Sequence, residues 1–260
     1  MQQWNGLLRK EWVMMKWQLL VGAVLAVAVL ATIPMVISGL VETGETVFEV
    51  ALFVCFLGAL TSLLMPLVAF FIILERDMKR PDVWLHSTAS IFKLIGSKVI
   101  FSLLIGGGGL VLSTLILAVY YALYNETLKT FNELLFFGSL FIGMAFIFSI
   151  VMLSFGFFFW VIDRLMKPYL KQFSIIATLL VFVIGSRLYG MVVLSPLYEK
   201  LVLIGPIDVL KLKNPKIEMD IIYWDHSATF FYTGEILFNT LCTIMVFILG
   251  AVLFEKKVRL

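Results

Sequence analysis

Six long runs carry no charged side chain: residues 18–41, 50–74, 99–125, 134–162, 172–186 and 236–254. These runs constrain the chain more than any other feature. A helix needs about 20 apolar residues to cross the hydrocarbon of a bilayer. Five of the runs meet or approach that length. The fifth in order is shorter, but its apolar pattern continues past Arg187 to Leu194. In lipid every backbone polar group must be satisfied internally, which leaves helices or closed barrels. No run alternates as a barrel strand would. The expectation is an all-α polytopic membrane protein with six transmembrane helices, a single transmembrane domain over residues 1–260. Composition agrees: 62% of residues are hydrophobic and 14% charged, with a mean hydropathy of +1.04. A soluble domain carries about 25% charged residues.

Charge orients the spans. The N-terminus, residues 75–98, residues 163–171 and the C-terminus fall on one side. That side holds fourteen of the 20 basic residues and six of the 17 acidic ones, net +8. The opposite side is net −5, which agrees with the total of +3. The positive-inside rule makes the first side cytoplasmic. An even number of spans also returns both termini to one side, so two independent arguments place both in the cytoplasm. The cations are scattered over four segments, each beside a span. Attraction to anionic lipid accounts for them, and nucleic acid is not an expected partner.

The opening "MQQWNGLLRKEWVMMKW" repeats Trp4, Leu7, Leu8, Trp12 and Met15 at helical spacing. It reads as an amphipathic interfacial helix over residues 1–16, with Trp4, Leu8 and Trp12 at headgroup depth. It is too long and too aromatic for the basic region of a signal peptide, so no cleaved signal is expected. Pro34 and Pro66 lie inside spans 1 and 2. Each removes a backbone hydrogen bond and bends its helix. The tetrad Gly106–Gly109 has no GxxxxGK[ST] context and is flanked by apolar residues, so it reads as a helix-packing or flexing point. Pro168 suits the first turn of span 5. Residues 196–232 form the long outer segment between spans 5 and 6. Its first part is apolar but too short to span.

Residues 75–98 are the largest cytoplasmic loop. Six charges fall between Glu75 and Asp82. Pro81 disfavours helix at Arg80 and can begin a new turn. A short helical knuckle would follow, built from Asp82, Val83, Trp84, Leu85 and His86, with Ser87 and Thr88 as cap candidates for span 3. Trp84 then suits a protein partner, since tryptophan is enriched at interface hot spots. It equally suits lipid headgroups.

Catalytic constellations are missing from the sequence. His86 and His226 are expected on opposite sides of the membrane, so they cannot share a metal. No HExxH, nucleophile elbow or paired intramembrane carboxylate occurs. No catalytic residue and no metal ligand set is assigned, and the chain is not expected to be an enzyme. Cys55 and Cys242 both lie in spans and read as small apolar residues. Arg187 is the one clear intramembrane charge. Two readings stand for it: a cavity-facing group that meets an anionic substrate or an acid such as Glu49 or Glu235, or a side chain that snorkels to the outer headgroups.

Taken together, the layout resembles the membrane subunit of an ABC-2-type ABC transporter. The matching residues are Glu75, Arg76 and Asp77 at the start of the loop, then Leu85, His86, Ser87 and Thr88, then Gly96, Ser97 and Lys98 leading into span 3. The ending "LFEKKVRL" is similar to the tail of such subunits. The stretch "MKRPDVWLH" departs from the family pattern. The resemblance implies a permease of a bacterial plasma membrane, paired with a second permease and with cytoplasmic ATP-binding cassette subunits that hold ATP and Mg. This chain would bind no cofactor. Residues 82–88 would be the coupling element and the N-terminal helix an elbow beside it. The cargo would be an amphiphilic, lipid-linked or antimicrobial molecule, moved outward. The competing expectation is a non-transporting sensor or immunity component that binds a peptide or envelope molecule through its outer segment.

Overall fold

The computed structural model describes residues 2–40, 47–79, 90–124, 131–207 and 231–258. These residues are almost entirely helical. Five helical stretches are long and apolar enough to cross a membrane: Trp4–Leu40, Val47–Met78, Ile91–Tyr124, Gly138–Val193 and Thr233–Lys256. The chain is a multi-pass membrane protein by this measure. It divides into two compact units, Met1–Leu153 and Ser154–Leu260.

The first unit is built on α1 (Gln2–Leu40), α2 (Val47–Met78) and α3 (Ile91–Tyr124). Helices α2 and α3 run antiparallel along a seam of small residues. A methyl group built on Gly58 would meet the Ser113 hydroxyl at 3.2 Å, and one on Gly109 would meet the Ser62 hydroxyl at 2.5 Å. A methyl group on Gly106 would fall 2.3 Å from the Pro66 ring and 3.0 Å from the Ser62 carbonyl. Pro66 has no N–H to give that carbonyl, and Gly106 leaves room for the kink this produces. The Gly106–Gly109 tetrad is therefore a packing surface.

Helix α1 lies against both partners. Near one end Met15 packs with Ile73 and Phe101, joined by Leu8, Leu19 and Ile105. Towards the other end Leu30 packs with Val50 and Val54. There the Tyr120 hydroxyl donates to the Ala31 carbonyl at 2.5 Å. Ala31 sits beside the backbone position that Pro34 leaves without a donor. These pairings make α1 antiparallel to α2 and parallel to α3. The start of α1, the end of α2 and the start of α3 thus share one end of the bundle. The first part of α4 (Phe131–Leu170) joins this unit. Its Ser149 hydroxyl donates to the Leu63 carbonyl at 3.1 Å, and Phe56 meets Phe141 with ring centroids 5.6 Å apart.

The second unit holds the rest of α4, then α5 (Ser174–Val193), the short α6 (Pro196–Val202) and α7 (Thr233–Leu253), which runs into a π-helical turn at Phe254–Val258. Helices α4 and α5 meet at a single 3-10 turn, Lys171–Phe173, where Lys171 takes a φ of 50°. Phe159 and Phe182 stack edge to face, with centroids 5.4 Å apart. In a straight helix the 23 residues between them would separate these rings by about 34 Å. The stretch Gly138–Val193 is therefore a hairpin. Beside it, Gly250 of α7 packs on Phe157 and Phe158, and Phe254 stacks on Trp160 at 5.9 Å.

Two-residue strands β1 (Pro206–Ile207) and β2 (Phe231–Tyr232) pair antiparallel, Pro206 with Tyr232 and Ile207 with Phe231. Thr233 N–H donates to the Gly205 carbonyl at 3.0 Å, with Gly205 at a φ of 70°. These contacts close the base of the segment between α6 and α7. Residues 208–230 lie outside the described residues.

Three expectations change. No separate surface helix forms over residues 1–16, because α1 is continuous from Gln2 to Leu40. No proline or glycine falls between Leu7 and Val21, where a surface helix would have to part from the span, and the Asn5-Gly6 pair lies inside the helix near its start. The cationic segment 163–171 is not a loop: α4 continues through Asp163, Arg164 and Lys167 to Leu170. Pro168 accordingly lies in the last turn of α4 rather than the first turn of α5. So near a C-terminus a proline removes only one late helical hydrogen bond, which explains how the helix tolerates it.

Candidate functional site: a buried ion cluster at one end of the bundle

Four charged side chains converge where α1, α2 and α3 share an end. Lys98 lies two turns into α3 and is buried, with 2% of its side chain exposed. Its Nζ donates to Glu11 Oε1 at 2.7 Å and to Asp77 Oδ2. Glu11 is 1% exposed. Its Oε2 is also buried and finds no hydrogen-bond partner among the described residues. Asp77, in the last turn of α2, also accepts from Lys10 Nζ, at 3.1 Å through Oδ1 and 3.3 Å through Oδ2. Two cations and two anions leave the cluster neutral. Lys98, Glu11 and Asp77 are out of water, which would cost several kcal/mol for each without its partner, so these three are held as a set; Lys10, 39% exposed, closes it from the rim.

Local sequence puts each group in place. On α1 the residues Trp4, Leu8, Glu11 and Met15 recur at intervals of four and three, the spacing of one helix face. Leu8 and Met15 join the core cluster with Ile73 and Phe101. The benzo edge of Trp4 lies against Gly96 of α3, where a methyl group would come within 3.0 Å of the ring. A larger residue at position 96 would displace the indole. Arg76, the neighbour of Asp77, reaches the Met14 carbonyl at 3.4 Å and Gln18 Oε1 at 3.5 Å. From Trp4 to Gln18, α1 is therefore fixed to the last turn of α2 and the first turns of α3.

Mechanically, this arrangement is a clamp. Asp77 and Lys98 stand on the two helices that lead into and out of residues 80–89, and their ion pair fixes the spacing of those stems. Glu11 and Lys10 transmit the same constraint to α1. A force on the segment between the stems reaches α1 through charged contacts buried from water, where electrostatic interactions are least screened.

The residues singled out from sequence are distributed as follows. Asp82, Val83, Trp84, Leu85, His86, Ser87 and Thr88 lie outside the described residues. Trp4 and Leu8 turn inward against protein, while Trp12 faces outward at 56% exposure. Arg187 is exposed on α5 and, among the described residues, has no ion-pair partner; Glu235 does not reach it. Two residues away, the Tyr189 hydroxyl donates to Asn239 Oδ1 at 2.9 Å and ties α5 to α7.

Sequence reasoning treated Glu11 as one acid among many cations. A usable signal was present: Glu11 falls on the Leu8–Met15 stripe, so a helix that buries that stripe must bury an acid with it. Lys98 was noted only as the end of a Gly-Ser-Lys triplet. Comparison with protein-family models, with curated proteins and with solved structures finds no match for this chain.

Proposed function

We propose that this chain is the permease subunit of an ATP-driven ABC transporter of the ABC-2 type. In this reading it sits in a bacterial plasma membrane with six spans and both termini in the cytoplasm. A second permease and two ATP-binding cassette subunits complete the assembly. The partner ATPases bind ATP and Mg and carry out hydrolysis; this chain contributes no catalytic group. The cargo is an amphiphilic, lipid-linked or antimicrobial molecule moving outward. The α4–α5 hairpin supports counting two crossings within Gly138–Val193.

The observation that carries the reading is the clamp beneath residues 80–89. A loop that merely connected two spans would need no buried lysine at its base. A loop that receives mechanical work from an ATPase needs rigid stems and a route into the membrane helices. Asp77, Lys98 and Glu11 supply both. Val83, Trp84 and Leu85, lying between those stems in sequence, are the apolar residues that a protein partner would seat.

The test begins with the gene neighbourhood: the reading expects an adjacent ATP-binding cassette gene, whose product is then coexpressed with this chain. We expect a stoichiometric complex on purification. Trp84→Ala with Leu85→Ala should leave ATPase activity but lower transport per ATP at least tenfold. A stable permease preparation with no nucleotide-binding partner, or unchanged coupling in the double variant, would overturn the reading.

A further inference from the structure

The first four turns of α1 have a second face, opposite the clamp. Arg9, Val13, Lys16 and Leu20 recur at intervals of four and three, with Trp12 and Trp17 on either side. All six are exposed, Trp12 at 56% and Trp17 at 68%. The Lys16 ammonium lies over the Trp17 ring, 5.8 Å from its centroid. Neither Arg9 nor Lys16 has an ion-pair partner among the described residues. The one acid in this part of the helix, Glu11, points the other way, into the cluster. The face therefore carries cations, tryptophans and aliphatic side chains, and no acid.

We propose that this face is a binding site for the headgroup of an anionic phospholipid. Three observations select a lipid over a protein partner. The charges on the face have one sign, which complements a phosphate. The tryptophans have the amphipathic rings that favour headgroup depth. Immediately beyond Trp17 the same side of α1 continues as Leu20, Val24 and Val27, all exposed and uncharged. A headgroup on Arg9 and Lys16 would thus have its acyl chains laid along a ready apolar track.

This site goes beyond the transport reading and does not depend on it. The two faces of one helical segment would hold lipid on the outside and the loop stems on the inside.

The test uses the purified full-length chain alone, in nanodiscs of equal parts phosphatidylcholine and phosphatidylglycerol. Lipids that stay bound on mild release are counted by native mass spectrometry. We expect phosphatidylglycerol to be enriched over the bulk ratio. Neutralising the site with Arg9→Gln and Lys16→Gln should weaken that preference about fivefold for each cation removed. Lys256→Gln, outside this face, should leave it unchanged. As a second measurement, phosphatidylglycerol brominated on its acyl chains should quench tryptophan emission more than the brominated phosphatidylcholine, and Trp12→Phe with Trp17→Phe should abolish that difference. Glycerol phosphate in solution should not compete, since the site takes a lipid and not a free phosphate. Equal retention in the Arg9/Lys16 variant, an equal loss in Lys256→Gln, or no difference in quenching would overturn the proposal. Failure of ATPase coupling would bear only on the transport reading.

Discussion

A lysine with two carboxylates, buried at the end of a membrane bundle, is a poor choice for stability alone. Replacing a buried ion cluster with apolar residues of similar size is often neutral or stabilising, whereas removing one partner costs about 3–5 kcal/mol. This asymmetry gives a test at the scale of single residues. Lys98→Met leaves Glu11 buried with no cation beside it and should lower the thermal midpoint of the detergent-solubilised protein by several degrees. Adding Glu11→Leu to Lys98→Met should recover most of that loss, because Asp77 keeps Lys10. If the double variant melts no higher than Lys98→Met alone, the cluster is not held together by mutual neutralisation. A recovered fold with impaired coupling would separate the mechanical role of the charges from their structural one. Of this cluster, only the burial of Glu11 was open to a sequence reader. Pairing Lys98 with an acid 87 positions earlier needs the three-helix packing itself.

At the scale of elements, the α2–α3 seam shows what small residues do. Two glycines of one tetrad have opposite environments. A methyl group on Gly106 collides with Pro66, while one on Gly108 meets nothing within 4 Å. We expect Gly106→Ala to cost about 1–3 kcal/mol through overpacking. Gly108→Ala should stay within about 0.5 kcal/mol of the parent, as substitutions away from packed features usually do. Chemical or thermal unfolding of the two variants side by side decides the matter, and similar losses in both would argue against this seam. Helix positions followed from uncharged runs: the run 236–254 appears within Thr233–Lys256, and residues 99–124 of the run 99–125 within Ile91–Tyr124. Helix ends did not follow. Charges were taken to mark loops, yet α4 carries Asp163, Arg164 and Lys167 before turning. Long side chains can keep a helix going while their charged ends reach water. The same error produced a separate elbow over residues 1–16, where chain chemistry gives no reason to stop.

For the whole molecule, the hairpin at Lys171–Phe173 decides how many times the chain crosses. Six crossings put Lys171 on the same side as the N-terminus and residues 208–230 on the other. Single cysteines at Lys171 and at Pro215, in a background lacking Cys55 and Cys242, should label from opposite sides of sealed vesicles. Labelling of both from one side would rule out the six-span topology. Net charge, summed over the whole chain, is the sequence feature that leads to this expectation, and the labelling experiment tests it. The role of Arg187 was less legible. Its value depends on what stands opposite α5, and a sequence does not state which helices face one another.

The small clasp formed by β1 and β2 carries a consequence of a different kind. The segment between Ile207 and Phe231 departs and returns at neighbouring points, held by Pro206 with Tyr232 and by Ile207 with Phe231. The clasp fixes the spacing of the two ends whatever joins them, and a flexible replacement of doubled length would add only about 0.6 kcal/mol of closure entropy. The segment can therefore be exchanged like a cassette, lengthened or rewritten while α6 and α7 keep their places. Replacing residues 208–230 with a short glycine-serine bridge should leave the melting temperature of the helices within a few degrees of the parent. Whatever this end of the molecule meets outside the membrane, selection can alter it without renegotiating the fold beneath.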